Sequence, residues 1–574
     1  MNAHFQKVVV AIALSGVCFA QTTTTSTTRK KTVTRTRHAV AKRPAAATEE
    51  DLQRLQQSMQ QQIDLLKQQI ADRDQKLQQV QQQLSETQAA SQQAQQKASS
   101  VETLVSDQKT KTDAEMTDVR STLTSTAQTI QEGQKKFSEM AEHPTSLHYK
   151  GVTVTPGGFI AAETIWRSRA EQNDVISSFN GIPFNGSPQS HLTEFRYTAR
   201  QSRLTVAVEG RTGPAKLGGY WEMDFLGAAP TANENQSSSF NLRQRQLYAQ
   251  AAFDSGWTVT AGQMWSLMTL NKKGIENRGE WAPATVEAQY IVGYDFARLA
   301  AARVTKTFAD KKATFGFEID NPATLFGGSV PAGVVTTLPG TGSLGNGANY
   351  SVNTAPDFLA KLAFDPGRGH YEIKAIGRVF RDRIENGSTV GAAGNNHQLG
   401  GGVGFGMIVP FTKKVDFIAQ GLAGYGVARY TDSSNVDVVI RPDGKVNAVD
   451  SLSGAAGFEI HPNPKLDIYM YGGTEYLGRN YSYGDPNNDY TKCFANEVNF
   501  ACSANFKNLY QGNVGFWYRF YKGAYGTLQY GMQASYTNKA TWDGLNKTVP
   551  TAPTVASPTG NEATVFTSFR YVVP

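Results

Sequence analysis

The stretch AKLGGYWEMDF, residues Ala215 to Phe225, carries the side-chain pattern that decides the fold. Apolar and acidic side chains alternate in its second half, in the order Trp221, Glu222, Met223, Asp224, Phe225. A strand with this order is apolar on one face and acidic on the other, because successive side chains point to opposite faces. In a water-soluble sheet the apolar face would be buried and the acidic face solvated, which is the commoner case. One such strand therefore does not separate a soluble sheet from a membrane barrel.

The same alternation recurs to the end of the chain. In the stretches 314–321, 371–379, 466–475 and 514–520, charged side chains on one face of the strand alternate with aromatic or aliphatic side chains on the other. A sheet repeated in this way suits a closed barrel in lipid, with carbon chains outside and water inside. The pattern predicts an all-β transmembrane barrel.

Length and composition agree with this prediction. The chain has 574 residues, so more than one region is expected. It is 40% hydrophobic and 18% charged, with a mean hydropathy of -0.40. No stretch beyond the N-terminus approaches the roughly 20 apolar residues of a membrane helix, so any embedding in a membrane must use strands. The net charge of +7 is modest, and the basic residues do not form a nucleic-acid-binding stripe.

Residues 1–20 have the pattern of a secretory signal peptide. Lys7 precedes an apolar run, and Cys18-Phe19-Ala20 forms the cleavage region. A lipoprotein signal built on Cys18 is the alternative, but Val17 stands where a small residue is wanted. Removal of the signal leaves Cys493 and Cys502, and an oxidising compartment favours a disulfide between them.

Residues 21–48 form a basic, Thr-rich segment with seven Lys and Arg residues and no acid. Such a segment cannot bury a core, so we expect it to be disordered. It could bind an anionic cell-wall polymer such as peptidoglycan, or lipid headgroups; a solvated tail is the alternative.

Residues 49–143 are rich in Gln, Ala, Lys and Glu, with apolar residues in steps of four and three. Met59, Ile63, Leu66 and Ile70 begin this heptad seam, which predicts a periplasmic coiled coil ended by Pro144. A single amphipathic helix of this length would leave its apolar stripe in water, so the segment implies self-association. The seam is compatible with two or three strands.

Residues 147–574 are predicted to form the barrel. Alternation and turn chemistry indicate sixteen strands, with tight and long connections in turn. The predicted strands are 159–167, 193–209, 215–226, 241–253, 257–268, 297–307, 313–321, 357–364, 370–382, 398–409, 414–430, 449–460, 465–479, 508–521, 525–538 and 561–572. The run from Tyr290 to Tyr294 is not counted, because a strand there would break the order of short and long connections.

Three short motifs, together with the N-terminal heptads, resemble a known family. RQSRL (Arg200–Leu204), LRQR (Leu242–Arg245) and GQMWS (Gly262–Ser266) occur in the order found in the DcaP-like trimeric porins, relatives of the phosphate-selective porins. The resemblance implies a sixteen-stranded homotrimeric channel of the bacterial outer membrane that takes up small anionic solutes. Family barrels usually end in an aromatic residue, whereas this chain ends in Pro574.

Inward-facing arginines are the predicted pore lining. Guanidinium groups bind carboxylate or phosphate with two parallel hydrogen bonds, and a row of them offers an anion successive weak sites. The alternative is that they pair with Glu222, Asp224 and Glu318 and only fill a polar lumen. The predicted lining comprises Arg196, Arg200, Arg203, Arg243, Arg245, Glu222, Asp224, Arg298, Arg303, Arg378 and Arg519, with Arg570 a further candidate.

The connection 269–295 is, by the same resemblance, a loop that folds into the barrel and narrows it. Its mixed charge would set a transverse field across the lumen. A surface-exposed loop is the alternative. The residues predicted at this constriction are Lys272, Lys273, Arg278, Glu280 and Trp281.

Enzymatic signals are weak. The histidines fall in predicted turns or loops without a nucleophile at a suggestive spacing, and no His/Cys cluster suggests a metal or other cofactor. Three functions remain: a diffusion porin for small anions, a structural tether between outer membrane and cell wall, and a trimeric adhesin. More than 400 barrel residues argue against the adhesin, because such proteins contribute only a few strands per chain.

Overall fold

The computed structural model describes residues 146–227, 240–308, 310–341, 348–479, 482–483, 506–546, 549 and 551–574, together with Thr126. The chain divides into two compact units, Met1–Gln131 and Glu132–Pro574, and the second contains the barrel. The predicted signal peptide, basic segment and coiled coil lie outside the described residues, apart from Thr126. Cys493 and Cys502 also lie outside them, so their disulfide stays a prediction.

Sixteen long strands form the barrel, and we number them in chain order. They are β1 (Val152–Arg167), β2 (in two segments, Glu194–Thr198 and Arg203–Thr212), β3 (Ala215–Gly227), β4 (Asn241–Phe253), β5 (Trp257–Trp265), β6 (Arg298–Phe308), β7 (Ala313–Asp320), β8 (Asp357–Phe364), β9 (His370–Ile384), β10 (Gly394–Thr412), β11 (Val415–Tyr425), β12 (Asp450–Asn463), β13 (Leu466–Leu477), β14 (Phe506–Gly523), β15 (Gly526–Thr541) and β16 (Thr559–Val572).

The sheet closes on itself. Each strand pairs antiparallel with the next, and β1 pairs both with β2, through Val152↔Gly210, and with β16, through Phe159↔Val572. Closure leaves no unpaired strand edge, which is what lipid requires of a spanning sheet. The predicted barrel of about sixteen antiparallel strands is confirmed, and Tyr290–Tyr294 is not a strand.

Two strands were predicted to extend further than they do. The strand predicted to reach Tyr430 ends at Tyr425, because Gly426 takes a positive φ of 66° and Ala428–Tyr430 forms a short 3-10 helix. The strand predicted to reach Met268 ends at Trp265, where the chain turns into the barrel interior. Apolar residues continue past both strand ends because they pack inside the barrel, so alternation alone could not place these boundaries.

The strands have two chemically different faces. Outward residues are apolar and exposed, including Trp221, Phe317, Ile373, Leu399 and Val514. Inward residues are polar and buried, among them Glu163, Glu222, Glu318, Glu372, Glu475 and Gln533. The alternation that predicted the barrel is therefore the inside-outside alternation of its wall.

The connections alternate in length, as predicted. Seven of them have two to five residues, and they define the tight-turn rim. The other connections form the long-loop rim, and they carry short strands such as Phe326–Gly327, Val334–Val335, Val438–Ile440 and Val446–Ala448. Within the described residues, no helix has the length and hydropathy needed to span a membrane.

Candidate functional site: the lumen and its inward loop

The connection between β5 and β6, residues 266–297, folds into the barrel, and we call it the inward loop. Its first limb runs down the inside of β7–β9 towards the tight-turn rim. Three of its backbone N–H groups donate to carboxylates there: Leu267 to Glu318 Oε1 (2.8 Å), Asn271 to Glu372 Oε1 (2.9 Å) and Gly274 to Asp365 Oδ2 (3.0 Å). The alternative of a surface-exposed loop is therefore wrong.

The second limb crosses to the opposite wall, formed by β12–β15, which we call the loop-bearing wall. Side chains of this wall satisfy the backbone of the limb: Trp517 Nε1 donates to Ala284 O (2.7 Å), Gln533 Oε1 accepts from Val286 N (2.8 Å), and Gln511 Oε1 accepts from Val292 N (3.0 Å). Buried backbone groups need such partners. The polar residues of this wall are thus used to hold the loop.

Glycines let the loop backbone lie directly on the loop-bearing wall. A Cβ added to Gly473 would stand 1.8 Å from the carbonyl oxygen of Val292. Gly293 has a φ of +83°, and a Cβ there would stand 2.2 Å from the carbonyl oxygen of Gly454. Side chains at these positions would push the limb off the wall.

Aromatic side chains fill the space between loop and wall. Trp281 packs edge-on against Tyr294 and Tyr471, with ring centroids 5.7 and 6.0 Å apart. Its indole N–H donates to Glu459 Oε1 at 2.8 Å, and only 4% of the residue is exposed. Trp281, assigned to the predicted constriction loop, anchors that loop to the loop-bearing wall.

A cavity of about 380 Å³ remains on the other side of the inward loop, next to strands β1–β5 and β16. Its charged lining consists of Arg203, Arg278, Arg570, Glu222, Glu280 and Glu287. Its aromatic lining includes Phe159, Tyr220, Trp265 and Tyr290. Cations, carboxylates and ring faces thus converge on one space beside the loop.

Strands β2–β4 carry a ladder of guanidinium and carboxylate groups, and we call them the arginine wall. Arg243 holds Asp224 with a two-pronged contact, Nε to Oδ1 at 3.0 Å and Nη2 to Oδ2 at 2.8 Å. Arg245 bridges the two acids, with Nε 2.5 Å from Glu222 Oε1 and Nη1 2.8 Å from Asp224 Oδ2. Arg203 Nη1 lies 3.1 Å from Glu222 Oε1. The five residues were all predicted to line the lumen, and they form one bonded group.

A β-bulge sets the geometry of this ladder. The register of β3 with β4 passes from Glu222↔Gln246 to Met223↔Gln244, so Arg245 is the extra residue. Arg245 and Gln246 are consecutive in the chain, yet both are buried inside the barrel. The bulge therefore turns both side chains onto Glu222, whose Oε2 accepts from Gln246 Nε2 at 2.6 Å.

Arg196 and Arg200 lie near the long-loop rim, where β2 is interrupted. Arg200 Nη1 donates to Asp174 at 2.8 Å, and its other nitrogens donate to the carbonyls of Phe225 and Gly227 at 3.1 and 3.2 Å. Arg196 is partly exposed and lies 4.0 Å from Glu194. Both side chains stand above the cavity and do not line it.

Arg303 and Arg378 are buried behind the loops. Arg303 lies 2.5 Å from Glu318 and also donates to the carbonyl of Trp265. Arg378 donates to Asp357 at 3.1 Å and lies 2.7 Å from Asp437. Both arginine residues are 2% exposed. Their guanidinium groups therefore brace the loops against the wall and do not face open lumen.

Arg298, Arg519 and Arg570 occupy three different settings. Arg298 stacks over the ring of Trp265, 4.7 Å from its centroid. Arg519 lies at the tight-turn rim, where it donates to Asp467 and to the carbonyl of Pro464. Arg570 lines the cavity, donates to Glu163 at 2.9 Å, and packs over the ring of Trp517 at 4.5 Å.

The tip of the inward loop carries the predicted basic residues. Lys272 and Lys273 are exposed on the turn 271–280, whose two ends are joined by the isolated bridge Asn271↔Glu280. Arg278, also exposed, lies 5.1 Å from the ring centroid of Tyr220 and 3.9 Å from Glu209. Of the residues predicted at the constriction, Arg278 and Glu280 therefore reach the cavity on the arginine wall.

Two acids of the loop have altered protonation equilibria. Burial raises the pKa of Glu280 to about 7, against the opposing charge of Arg303. Burial also raises the pKa of Glu287 to about 7, although Arg167 and hydrogen bonds from Ser177 favour its ionised form. Both residues line the cavity, so we expect its charge to depend on pH near neutrality.

Several lining residues were not predicted from the sequence. Phe159, Gln201, Tyr220 and Tyr290 surround the predicted arginines. Phe159 lies on the inward face of β1, in phase with Glu163, so alternation within that strand would have found it. Tyr290 carried no such signal, because the inward loop has no periodic pattern. Within the described residues, no group of three His, Cys, Asp or Glu side chains could hold a metal ion.

Comparison with known proteins identifies a solved structure with the same fold. No protein-family model matches the chain, and no curated protein sequence matches it. The crystal structure of the outer membrane channel DcaP of Acinetobacter baumannii matches with a TM-score of 0.52 and 18% identity over 75% of this chain and 99% of that one. The resemblance inferred from the sequence motifs is thus confirmed for the fold.

Two other solved structures are more distant. The anion-selective porin from Comamonas acidovorans matches with a TM-score of 0.40 and 10% identity, covering 73% of this chain and 99% of that one. OprB of Pseudomonas putida, in its high-pH structure, matches with a TM-score of 0.40 and 10% identity, covering 76% and 96%.

Proposed function

We propose that this protein is an outer-membrane porin, a passive diffusion channel for small anionic solutes such as carboxylates and phosphate-like anions. The observation that carries the proposal is the convergence of Arg203, Arg278 and Arg570 on one cavity beside an inward loop. The fold shared with the outer membrane channel DcaP supports a channel. The polar inner face and apolar outer face suit a water-filled barrel in lipid.

The charge balance of the cavity favours anions, although its lining has three arginines and three glutamates. Arginine keeps its charge at any physiological pH. Glu222 is paired with Arg203 and Arg245, so it offsets part of their positive charge. Glu280 and Glu287 each have a pKa of about 7 and are therefore only partly ionised at neutral pH. At neutral pH we therefore expect these six charged lining residues to carry a small net positive charge.

The structure also changes which arginines best test the proposal. Arg245 is 2% exposed and bound to two acids, so its removal would leave a buried acid uncompensated and disturb the fold. Arg203 and Arg278 line the cavity and keep more of their side-chain surface exposed, 24% and 47%. They are the residues to replace.

We predict that Arg203→Gln/Arg278→Gln shifts the reversal potential in a salt gradient towards cations and weakens block by dicarboxylates. Planar-bilayer recordings measure both quantities. Lowering the salt concentration should strengthen the wild-type anion preference, because exposed charges are screened less. The matched control is Arg368→Gln/Arg441→Gln, which removes two exposed arginines outside the lumen. An unchanged reversal potential in the cavity variant would show that these arginines only fill the lumen.

The proposal includes assembly as a homotrimer in the outer membrane, with the N-terminal region in the periplasm. We expect heat-resistant oligomers to persist after deletion of residues 21–146, because barrel contacts and not only the predicted coiled coil would hold the trimer. Gel migration of unheated samples measures this. Monomers alone after the deletion would contradict the barrel contribution. The tether hypothesis depends on residues 21–143, most of which lie outside the described chain.

A further inference from the structure

The outer face of β9 changes chemistry near the long-loop rim. Every second residue of this strand is directed outward, and the outward series begins with Tyr371, Ile373, Ala375, Gly377 and Val379. The next two outward residues are Arg381 and Arg383, while Asp382 between them is buried inside the barrel. The strand therefore passes from an apolar outer surface to a basic one.

The position of this change matches the boundary of the apolar band. From Tyr371 to Arg381 the strand advances ten residues, or about 33 Å at roughly 3.3 Å per residue. With a strand tilt of about 40°, this length covers about 25 Å along the membrane normal, which is the height of the apolar band on such barrels. Arg381 and Arg383 therefore emerge at the level of the lipid headgroups on the long-loop side.

The neighbouring strand β10 completes the basic patch. Its register places His397 opposite Arg381, Asn395 opposite Arg383, and Leu399 opposite Val379. Directly opposed side chains have Cβ atoms about 5 Å apart, so the two arginines, the histidine and the amide form one cluster. We call Arg381, Arg383, Asn395 and His397 the rim patch.

The guanidinium groups of the rim patch keep donors free. Arg381 Nε donates to the carbonyl of Val352 at 3.2 Å, and Arg383 Nη1 donates to Asn395 Oδ1 at 3.1 Å. No carboxylate of the described chain forms an ion pair with either arginine, in contrast to Arg243 and Arg245 inside the barrel. Free guanidinium donors held in a cluster suit a phosphate group, which accepts two parallel hydrogen bonds.

The surface below the rim patch suits hydrocarbon. Leu399 and Val403 are 73% and 65% exposed, and they flank the paired Gly377 and Gly401. An ideal Cβ on Gly377 would have no atom within 4 Å, so the backbone there forms a shallow open groove. An extended chain of methylene groups can lie in this groove directly beneath the cations.

We infer that the rim patch binds the phosphate group of an outer-leaflet lipid whose acyl chain lies over Gly377 and Gly401. The proposal rests on the barrel being a membrane protein and not on its being a channel. A soluble phosphate would meet the same donors but would gain nothing from the apolar groove. The site therefore selects a phosphorylated lipid over a free anion.

The test measures lipid binding to the purified full-length protein in a neutral detergent, by native mass spectrometry. The probes are a bisphosphorylated glycolipid and the same lipid after dephosphorylation. Arg381→Ala/Arg383→Ala should weaken binding of the phosphorylated lipid by about tenfold or more, since hydrogen bonds to charged groups are lost. Arg381→Lys/Arg383→Lys keeps the charges but loses the two parallel hydrogen bonds, so its loss of binding should be smaller than that of the Ala pair. The matched control, Arg368→Ala/Lys414→Ala, removes two exposed cations at the tight-turn rim.

A large loss in the Ala pair, a smaller loss in the Lys pair, retention in the control, and no competition by inorganic phosphate would support the site. Binding by the Ala pair within twofold of the wild type would overturn it. An equal loss in the control would also overturn it, because a general effect of removing cations, or misfolding, would then explain the loss without the rim patch. Displacement of the lipid by inorganic phosphate at equal concentration would show a site for soluble anions instead.

Discussion

The arginine wall and the loop-bearing wall border the same lumen, yet their polar side chains have different roles. On the arginine wall, Glu222 and Asp224 hold guanidinium groups in place beside an open cavity. On the loop-bearing wall, polar side chains are bonded to the backbone of the inward loop, and glycines bring that backbone into direct contact. One wall presents its polar groups to a solute, and the other uses them to hold protein.

The difference shows that an inward polar residue is not by itself a pore-lining residue. Gln533 and Glu475 are as buried and as inward as Glu222, but their acceptors bind N–H groups of the inward loop. What separates the two walls is where the loop lies, because the loop fills one side of the barrel.

The largest expected effect comes from Gly473→Val on the loop-bearing wall. A Cβ at Gly473 would lie 1.8 Å from the carbonyl oxygen of Val292, so the loop must leave the wall or the wall must deform. We expect a loss of about 1–3 kcal/mol or more of stability, as for overpacking of a filled core. The unfolding midpoint, read from heat-dependent gel migration, measures this loss.

The control for this variant is Gly512→Val on the neighbouring strand. Gly512 is directed outward, and an added Cβ there would meet no atom within 4 Å. Its unfolding midpoint should match that of the wild type. Equal losses in both variants would mean that valine disturbs the strands themselves, and the loop contact would then have no special part.

Periodicity made most of the barrel predictable. All sixteen strands follow from alternation, because each has one face in lipid and one in the lumen, and the acids Glu222 and Asp224 follow from the same pattern. The bulge at Arg245 did not follow, since it depends on the register between β3 and β4. A pattern within one strand contains no information about its pairing.

The paths of the loops could not be read from the sequence, and this explains why several residues of the predicted lining do not border the cavity. Arg303 and Arg378 have the inward phase that was predicted, but loop segments cover them. Trp281 lies on the loop that was predicted to enter the barrel, but its ring is turned to the far wall. Inward direction is a local property, whereas access to the lumen depends on where distant segments pack.

A change of pH should have a smaller effect, because the two acids that titrate near neutrality line the cavity and do not belong to the loop-bearing wall. Glu280 and Glu287 both have a pKa of about 7, raised by burial. Lowering the pH from about 8 to about 6 protonates both carboxyls while the arginines stay charged, so anion preference should increase. The reversal potential in a salt gradient, recorded across this range, measures the change.

Glu280→Gln supplies the comparison for the pH effect. Glu280 Oε1 has no hydrogen-bond donor in the described part of the chain, so the amide can replace the neutral acid without breaking a bond to that atom. The variant should show a stronger anion preference than the wild type at about pH 8 and a smaller change on acidification. A full-sized pH response in this variant would assign the titration to other groups.

The smallest expected effect concerns Tyr290, the residue through which the inward loop touches the arginine wall. Its ring packs against Tyr294 and Phe296 on the loop, and its hydroxyl accepts from Arg245 Nη2 at 3.1 Å. Tyr290→Phe keeps the ring contacts and removes only that acceptor, so we expect a loss of about 1 kcal/mol of stability. The freed Nη2 donor can then bind a passing carboxylate, and block by dicarboxylates should become slightly stronger.

Tyr294→Phe is the matched control, because the Tyr294 hydroxyl donates to the carbonyl of Trp281 at 2.6 Å and touches no arginine there. Tyr294→Phe should therefore lower stability by a similar amount and leave block by dicarboxylates unchanged. A change of block in Tyr294→Phe as large as in Tyr290→Phe would mean that the loop position, and not the donor on Arg245, sets the binding of anions.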